Sequence, residues 1–155
     1  HGERTPVEDR HVRGGFHNVS LSATRSHFIR AVFEGVAYNS RWLLGHLEKF
    51  IGRRLDDIHF IGGGANSNIW CQIYADVLNR RIKQVQDPVQ ANARGVGLLT
   101  AVALGLSTFD TIGDGVPIAH TYEPNPAHRQ LYDQLFAEYL HIYKQNKRIY
   151  ARLNA

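Results

Sequence analysis

The sequence FIGGGANSNIW, residues 60–70, decides the fold of this chain. An apolar strand leads into three consecutive glycines, and Ser67 or Asn66 can cap a helix that ends near Asn79. Glycine lets the backbone approach a flat ligand closely, and the first turn of a helix offers unpaired N–H groups and a positive dipole end. The sequence therefore predicts a nucleotide-binding turn between a strand and a helix.

The spacing of apolar residues predicts further elements on both sides of this turn. The predicted helices cover about residues 22–51, 67–79, 90–104 and 125–150, and the predicted strands cover about residues 58–61 and 82–85. Residues 106–124 are predicted to form an irregular connector. The apolar stripe of the first helix comprises Ile29, Val32, Phe33, Val36, Ser40, Leu43, Leu44, Leu47 and Phe50.

This order of elements predicts an α/β fold with helices packed on a mostly parallel sheet. Two short strands alone form only a marginal sheet, whereas four helices carry apolar stripes that need covering. We therefore expect the chain to be part of a larger protein in which further strands come earlier. The aromatic last helix is interpreted first as core and second as a subunit interface, which leaves a homodimer open.

The composition narrows the classes of function. No apolar stretch reaches membrane-spanning length and residues 1–13 are polar, so neither a signal peptide nor a membrane anchor is predicted. The single cysteine, Cys71, is typical of a reducing cytoplasm. The net charge of +4 is dispersed, which does not favour a nucleic-acid partner. The nine histidines have neither His-Glu-x-x-His spacing nor cysteine partners, so no metal site is predicted.

Two common glycine motifs do not fit residues 60–70. A P-loop requires Lys-Ser or Lys-Thr after its last glycine, and the chain has no such pair. The dinucleotide fingerprint requires a glycine at the position of Ser67. The turn therefore belongs to another kind of nucleotide site.

Four blocks in order resemble the C-terminal domain of the FGGY family of carbohydrate kinases, closest to its xylulokinase-like members. The blocks are residues 2–14, residues 14–34 with the family's second signature, residues 62–78 with its adenosine-binding segment, and residues 91–95. Two positions depart from the pattern: Asn18 replaces a glycine but tolerates positive φ, and Gln90 replaces a glutamate.

The resemblance implies a partial actin-like ATPase lobe with a ribonuclease H-like fold. Residues 1–155 would form the C-terminal part of its ATP-binding lobe, and the sugar-binding lobe and first strands would precede them. ATP and Mg²⁺ would be the cofactors, and a sugar or polyol would be the substrate. The catalytic base, an Asp, is expected upstream. Asp114 imitates it in a Gly-Asp pair but follows the third helix, which is the wrong place.

The resemblance assigns the purine to the backbone of Gly63, Gly64 and Ala65, and its edge to a hydrogen bond with Asn68. Alternatives remain at each position. The glycines can simply form a tight turn, and Asn68 can be an exposed residue of the first helical turn. Ser67 is expected to be an N-cap, and Trp70 a packing residue.

Two classes of function, and one variant of the first, remain open. The first is an ATP-dependent carbohydrate kinase whose isolated C-terminal fragment is inactive, because the base and the phosphate-binding loops lie elsewhere. The second is a non-catalytic nucleotide-sensing or protein-interaction module of actin-like fold. A kinase homologue that has lost its base is a third, weaker possibility.

Overall fold

The computed structural model describes residues 2–154 and contains four α-helices and three strands within them. The helices are α1 (Arg25–Ile51), α2 (Asn68–Leu78), α3 (Ala91–Ala103) and α4 (Arg129–Leu153). The strands are β1 (Asp57–Phe60), β2 (Arg81–Val85) and β3 (Ile118–Tyr122). These described residues divide into two compact units, one of residues 2–54, 76–78 and 125–154 and one of residues 55–75 and 79–124.

The first unit is built around aromatic contacts between α1 and α4. The Tyr38 ring lies 5.6 Å from that of Tyr139 and 6.4 Å from that of Phe136. Farther along, the rings of Trp42 and Tyr143 are 5.5 Å apart. The aromatic residues of the last helix therefore lie against α1, as the core interpretation predicts.

Polar contacts surround this aromatic core. Arg30 donates to Glu34, one helical turn away, at 2.7 Å, and the Tyr132 hydroxyl also donates to that carboxylate at 2.9 Å. Arg41 pairs with Asp133 and lies over the Phe136 ring at 4.3 Å. Burial raises the pKa of Tyr132, so its hydroxyl keeps its proton and can donate.

The predicted apolar stripe of α1 is only partly covered. Leu44 is buried, but the buried positions beside it are Ala37 and Tyr38, which are not members of the stripe. Five members are between 42% and 50% exposed: Ile29, Val32, Val36, Leu43 and Leu47. The packed face of α1 is therefore rotated from the one that the spacing indicates.

The second unit contains a three-stranded sheet in the order β1-β2-β3. The β1 and β2 strands pair in parallel, with Ile58 opposite Ile82, and the β2 and β3 strands pair antiparallel, with Ile82 opposite Tyr122. The expectation of a mostly parallel sheet is therefore wrong, since the sheet is mixed. The expectation of an irregular connector at 106–124 is also wrong, because β3 lies within it.

The strand residues explain the pairing of β1 with β2. Ile82 and Val85 are buried. Across the parallel pair, the Asp57 carboxylate forms ion pairs with Nε of Arg81 at 2.5 Å and with Nζ of Lys83 at 2.7 Å. The hydrogen bond from Lys83 is the largest cause that lowers the pKa of Asp57 below its usual value of 3.8, and the hydrogen bond from Arg81 lowers it further. The β1–α2–β2 segment is a parallel crossover unit, which the strand–helix order of the sequence predicts.

The helix ends follow the capping residues of the sequence. The Ser67 hydroxyl accepts from the Trp70 N–H at 3.3 Å, which confirms Ser67 as the N-cap of α2. Asn79 ends α2 in the left-handed conformation, and Gly52 ends α1 in the same way. Asn18 has φ +53°, so asparagine supports the turn as expected. Within residues 2–154, no helix is both long and apolar enough to cross a membrane.

Candidate functional site

The loops that follow β1 and β2 meet at one edge of the sheet. Because the two strands are parallel, their carboxyl ends lie on the same side. The Gly62 N–H donates to the Pro88 carbonyl at 2.8 Å, which ties the glycine turn to the loop after β2. The edge beyond the carboxyl ends of parallel strands is where α/β proteins bind ligands. The glycine turn therefore lies in a favourable place for a binding site.

Gly62 starts the turn in a conformation that only glycine adopts readily. Its φ is +82° and its ψ is −176°, a region that a Cβ atom disfavours strongly. A 3₁₀ turn, Gly63–Asn66, follows directly and leads into α2. The first glycine is thus required by the backbone itself, independently of any ligand.

The next two glycines differ in what surrounds them. A Cβ atom added to Gly63 would meet no atom within 4 Å, and Gly63 is exposed. A Cβ atom added to Gly64 would lie 2.7 Å from Cζ3 of Trp70, which is far too close. The indole ring of Trp70 therefore explains Gly64, whereas the space beside Gly63 is open to a ligand.

Ala65 lies inside the unit, with 0% of its surface exposed. Its carbonyl accepts hydrogen bonds from Gln84 Nε2 at 2.5 Å and from the Cys71 thiol at 3.6 Å. A ligand resting on this turn would meet the surface of Gly63 and Gly64, with Ala65 supporting the turn from within. Cys71 is fully buried, which raises the pKa of its thiol, and it fills the core as a small apolar residue.

Asn68 is exposed at the first residue of α2. Its Oδ1 atom accepts from Gln84 Nε2 at 3.3 Å, so the side chain is held by β2. Gln84 in turn accepts from the Tyr122 hydroxyl at 3.3 Å. Sequence reasoning missed Gln84 and Tyr122. The available signal was a glutamine two residues after Ile82, on the same inward face of a strand.

Other residues near the turn have structural contacts. The Trp70 ring is perpendicular to the Phe60 ring, with 6.4 Å between their centroids, and its centroid lies 5.9 Å from that of Tyr74. These contacts agree with the packing role expected for Trp70. Gln72 donates to the Glu123 carbonyl at 2.9 Å. These contacts explain both side chains without a ligand.

Asp76 belongs to the first unit, where it stabilises the start of the segment that leads into α4. Its carboxylate accepts from the Asn125 N–H at 2.9 Å and lies 2.9 Å from Nδ1 of His128. Across residues 2–154, no group of three or more His, Cys, Asp or Glu residues is arranged to hold a metal ion.

The parallel β1–α2–β2 unit makes this an α/β protein whose glycine turn lies at the edge of the sheet where such folds bind ligands. Comparison with known proteins identifies the family: residues 1–104 match the model of the C-terminal domain of the FGGY family of carbohydrate kinases. The chain belongs to this family, whose members use ATP as phosphate donor.

Individual relatives agree with this assignment. The chain is 34% identical to a xylulose kinase of Staphylococcus epidermidis over 98% of its own length and 31% of that protein. The structure of ligand-bound xylulose kinase from Lactobacillus acidophilus matches with a TM-score of 0.87 and 27% identity, over 98% of this chain and 31% of that one. Gluconate kinase from the same organism matches with a TM-score of 0.82, 27% identity and the same coverage. The chain thus spans about a third of the length of these relatives.

Proposed function

We propose that this chain is the C-terminal part of the ATP-binding lobe of a carbohydrate kinase, most similar to xylulose kinases. The observation that carries the proposal is the alignment of 98% of the chain with a xylulose kinase at 34% identity. The complete protein would transfer the γ-phosphoryl group of ATP to a hydroxyl of a sugar or polyol. Its lobe would have the actin-like, ribonuclease H-like fold, with the sugar-binding lobe preceding it.

The residues of the glycine turn fit the adenosine part of ATP. Gly63 is open, Asn68 is exposed, and the loop after β2 fixes the turn through Gly62. We assign the face of the purine to the main chain of Gly63 and Gly64 and its edge to the amide of Asn68. Ala65 supports the turn beneath them.

This chain contributes position rather than bond-making chemistry. Phosphoryl transfer depends mainly on the alignment of donor and acceptor and on neutralisation of phosphate charge. Bound ATP would supply the phosphoryl group, and Mg²⁺ would be held by its phosphates and by residues outside this chain. The base that accepts the proton of the sugar hydroxyl is also assigned upstream. The role of Gly63, Gly64 and Asn68 is to hold adenosine still while those groups act.

The proposal also covers the cellular location, the binding partners and the oligomeric state of the protein. We assign it to the cytoplasm, with a sugar or polyol as its partner and without a membrane or nucleic-acid partner. A homodimer is the assembly that we propose to test by light scattering of the complete protein.

The decisive experiment measures ADP release by the complete kinase in the presence of xylulose, gluconate and other sugars or polyols. Sugar-dependent ADP release is expected from the complete protein, and none is expected from the 155-residue chain alone. Asn68→Ala should raise the KM for ATP by about three- to tenfold, the value of one hydrogen bond, without changing the KM for the sugar.

Asn66→Ala, the same substitution at an exposed asparagine of the same turn, is the matched control and should leave the KM for ATP unchanged. ATP binding without sugar-dependent turnover would instead identify a nucleotide-sensing module. Turnover by the isolated chain would contradict the assignment of the base and phosphate loops to the upstream part.

A further inference from the structure

Gln84 is a polar side chain buried at the centre of the second unit. It is 7% exposed, and its neighbours Ile82 and Val85 on β2 are buried apolar residues. Burying an amide is unfavourable unless its groups are hydrogen-bonded. Both groups of the Gln84 amide are bonded, since Nε2 lies 2.5 Å from the Ala65 carbonyl and Oε1 lies 3.3 Å from the Tyr122 hydroxyl.

The chemistry of these partners fixes which way the Gln84 amide points. A backbone carbonyl can only accept, so the atom facing Ala65 must be the amide nitrogen. The oxygen then faces Tyr122, whose hydroxyl donates to it. The second hydrogen of Nε2 is directed to Asn68, at 3.3 Å. No alternative orientation of the Gln84 amide satisfies the Ala65 carbonyl.

This arrangement also determines the orientation of Asn68. Its Oδ1 atom accepts from Gln84, and a reversed Asn68 amide would place two N–H groups face to face. Asn68 is exposed, so the amide nitrogen Nδ2 is the group that it offers as a donor to a ligand. The second lone pair of Oδ1 can still accept from a neighbouring donor.

We propose that Gln84 is a positioning residue that orients the Asn68 amide for the edge of an adenine rather than a guanine. This inference rests on the proposed function. At the edge formed by N7 and the substituent on C6, adenine carries a ring-nitrogen acceptor beside an amino donor, which matches the N–H and the oxygen of an oriented asparagine. Guanine presents two acceptors, N7 and O6, at that edge, so the Asn68 oxygen would face another acceptor.

The test replaces Gln84 by methionine in the complete kinase, which keeps the length of the side chain but removes both hydrogen-bonding groups. The KM for ATP and for GTP, the kcat and the KM for the sugar are measured for each variant. For Gln84→Met, the KM for ATP should rise about three- to tenfold, and the preference for ATP over GTP should narrow by a similar factor. The kcat and the sugar KM should stay within about twofold of wild type.

Three further variants separate positioning from a merely structural role. Gln86→Met makes the same substitution at an exposed residue just after the strand and should leave the nucleotide preference unchanged. Tyr122→Phe removes only the hydroxyl that holds Oε1 and should narrow the ATP preference in the same direction by a smaller factor. Combining Gln84→Met with Asn68→Ala should cost no more ATP affinity than Asn68→Ala alone, because the two residues act through one contact.

The outcomes distinguish this inference from the proposed function. An unchanged KM for ATP in Asn68→Ala would overturn the nucleotide assignment itself. A raised KM in Asn68→Ala with an unchanged ATP-to-GTP preference in Gln84→Met would overturn only the positioning role. Additive losses in the double variant would also overturn it. If Gln84→Met does not fold, Tyr122→Phe decides, and an unchanged preference in that variant refutes the inference.

Discussion

Replacement by alanine should have opposite effects on stability at Gly63 and at Gly64, the two adjacent glycines of the turn. In Gly64→Ala, the new methyl carbon would lie 2.7 Å from Cζ3 and 3.0 Å from Cε3 of Trp70. Ordinary carbon contacts begin at about 3.5 Å, so the indole must retreat by roughly 0.8 Å. It cannot do so freely, because Phe60 and Tyr74 pack against it.

The size of the effect follows from this crowding. Forcing one methyl group into a packed site costs about 1–3 kcal/mol of unfolding free energy. For a chain of 155 residues this corresponds to a fall in Tm of about 2–12 °C. Gly63→Ala places its methyl group in open space, so the unfolding free energy should rise slightly, by up to about 1 kcal/mol, as the unfolded chain loses freedom.

The assay compares the urea midpoints of both variants with wild type and, in the complete kinase, the KM for ATP. Gly64→Ala should lower the midpoint, whereas Gly63→Ala should raise the KM for ATP and should raise the midpoint slightly. In a Trp70→Leu background, Gly64→Ala should lower the urea midpoint less than in wild type, because the indole atoms that clash with the new methyl group are absent. An unchanged midpoint for Gly64→Ala would refute the packing explanation of that glycine. An equal loss of stability in Gly63→Ala would refute the claim that its surface is open.

Three further predictions concern residues outside the glycine turn. Asp76→Ala should lower the unfolding free energy by about 1–3 kcal/mol in urea titration, because it removes the buried partner of His128 and of a backbone N–H. Asp57 has a lowered pKa, chiefly because of its hydrogen bond with Lys83, so its stabilisation is complete above pH 3.8 and is lost as the pH falls through the folded-state pKa. The urea midpoint of Asp57→Asn should therefore lie below that of wild type at pH 7 and converge with it in acid. Cys71 should stay unreactive towards a thiol reagent until urea unfolds the chain, because it is fully buried and its pKa is raised.

The helices could be predicted from sequence because their signals are local. Capping by Ser67, termination at Asn79 and the glycine stop at Gly52 depend on residues within one or two turns. The β3 strand gave no such signal. Four of its five residues are exposed, so it has no alternation of apolar and polar positions, and its pairing with β2 defines it.

The packed face of α1 shows a second limit of periodicity. Spacing identifies an apolar side of the helix, but it does not show where the partner helix lies. Tyr38 and Arg41 make the contacts with α4, through Phe136 and Asp133. Amphipathic aromatic and arginine side chains can pack their apolar parts, so the contact face includes residues that a hydropathy pattern counts as polar.

The turn between β1 and α2 was predictable from the sequence, whereas the contacts that support it were not. Gly63 and Asn68 follow from the glycine motif and its resemblance, and their role as nucleotide contacts stays a prediction. The reason for Gly64 depends on the rotamer of Trp70, and the support of Asn68 depends on Gln84, sixteen residues away on a neighbouring strand. Such contacts arise from tertiary packing, which a single sequence does not specify directly.

The close packing of Trp70 against the glycine turn also makes it a natural optical reporter. Residues 1–155 contain two tryptophans, Trp42 and Trp70, so within this part of the protein a Trp42→Phe variant would retain only the indole beside the turn. The emission of that indole depends on its immediate polarity and on quenching by nearby groups. Titrations of unlabelled nucleotides could then be followed by fluorescence at equilibrium and in stopped flow, without a coupled enzyme.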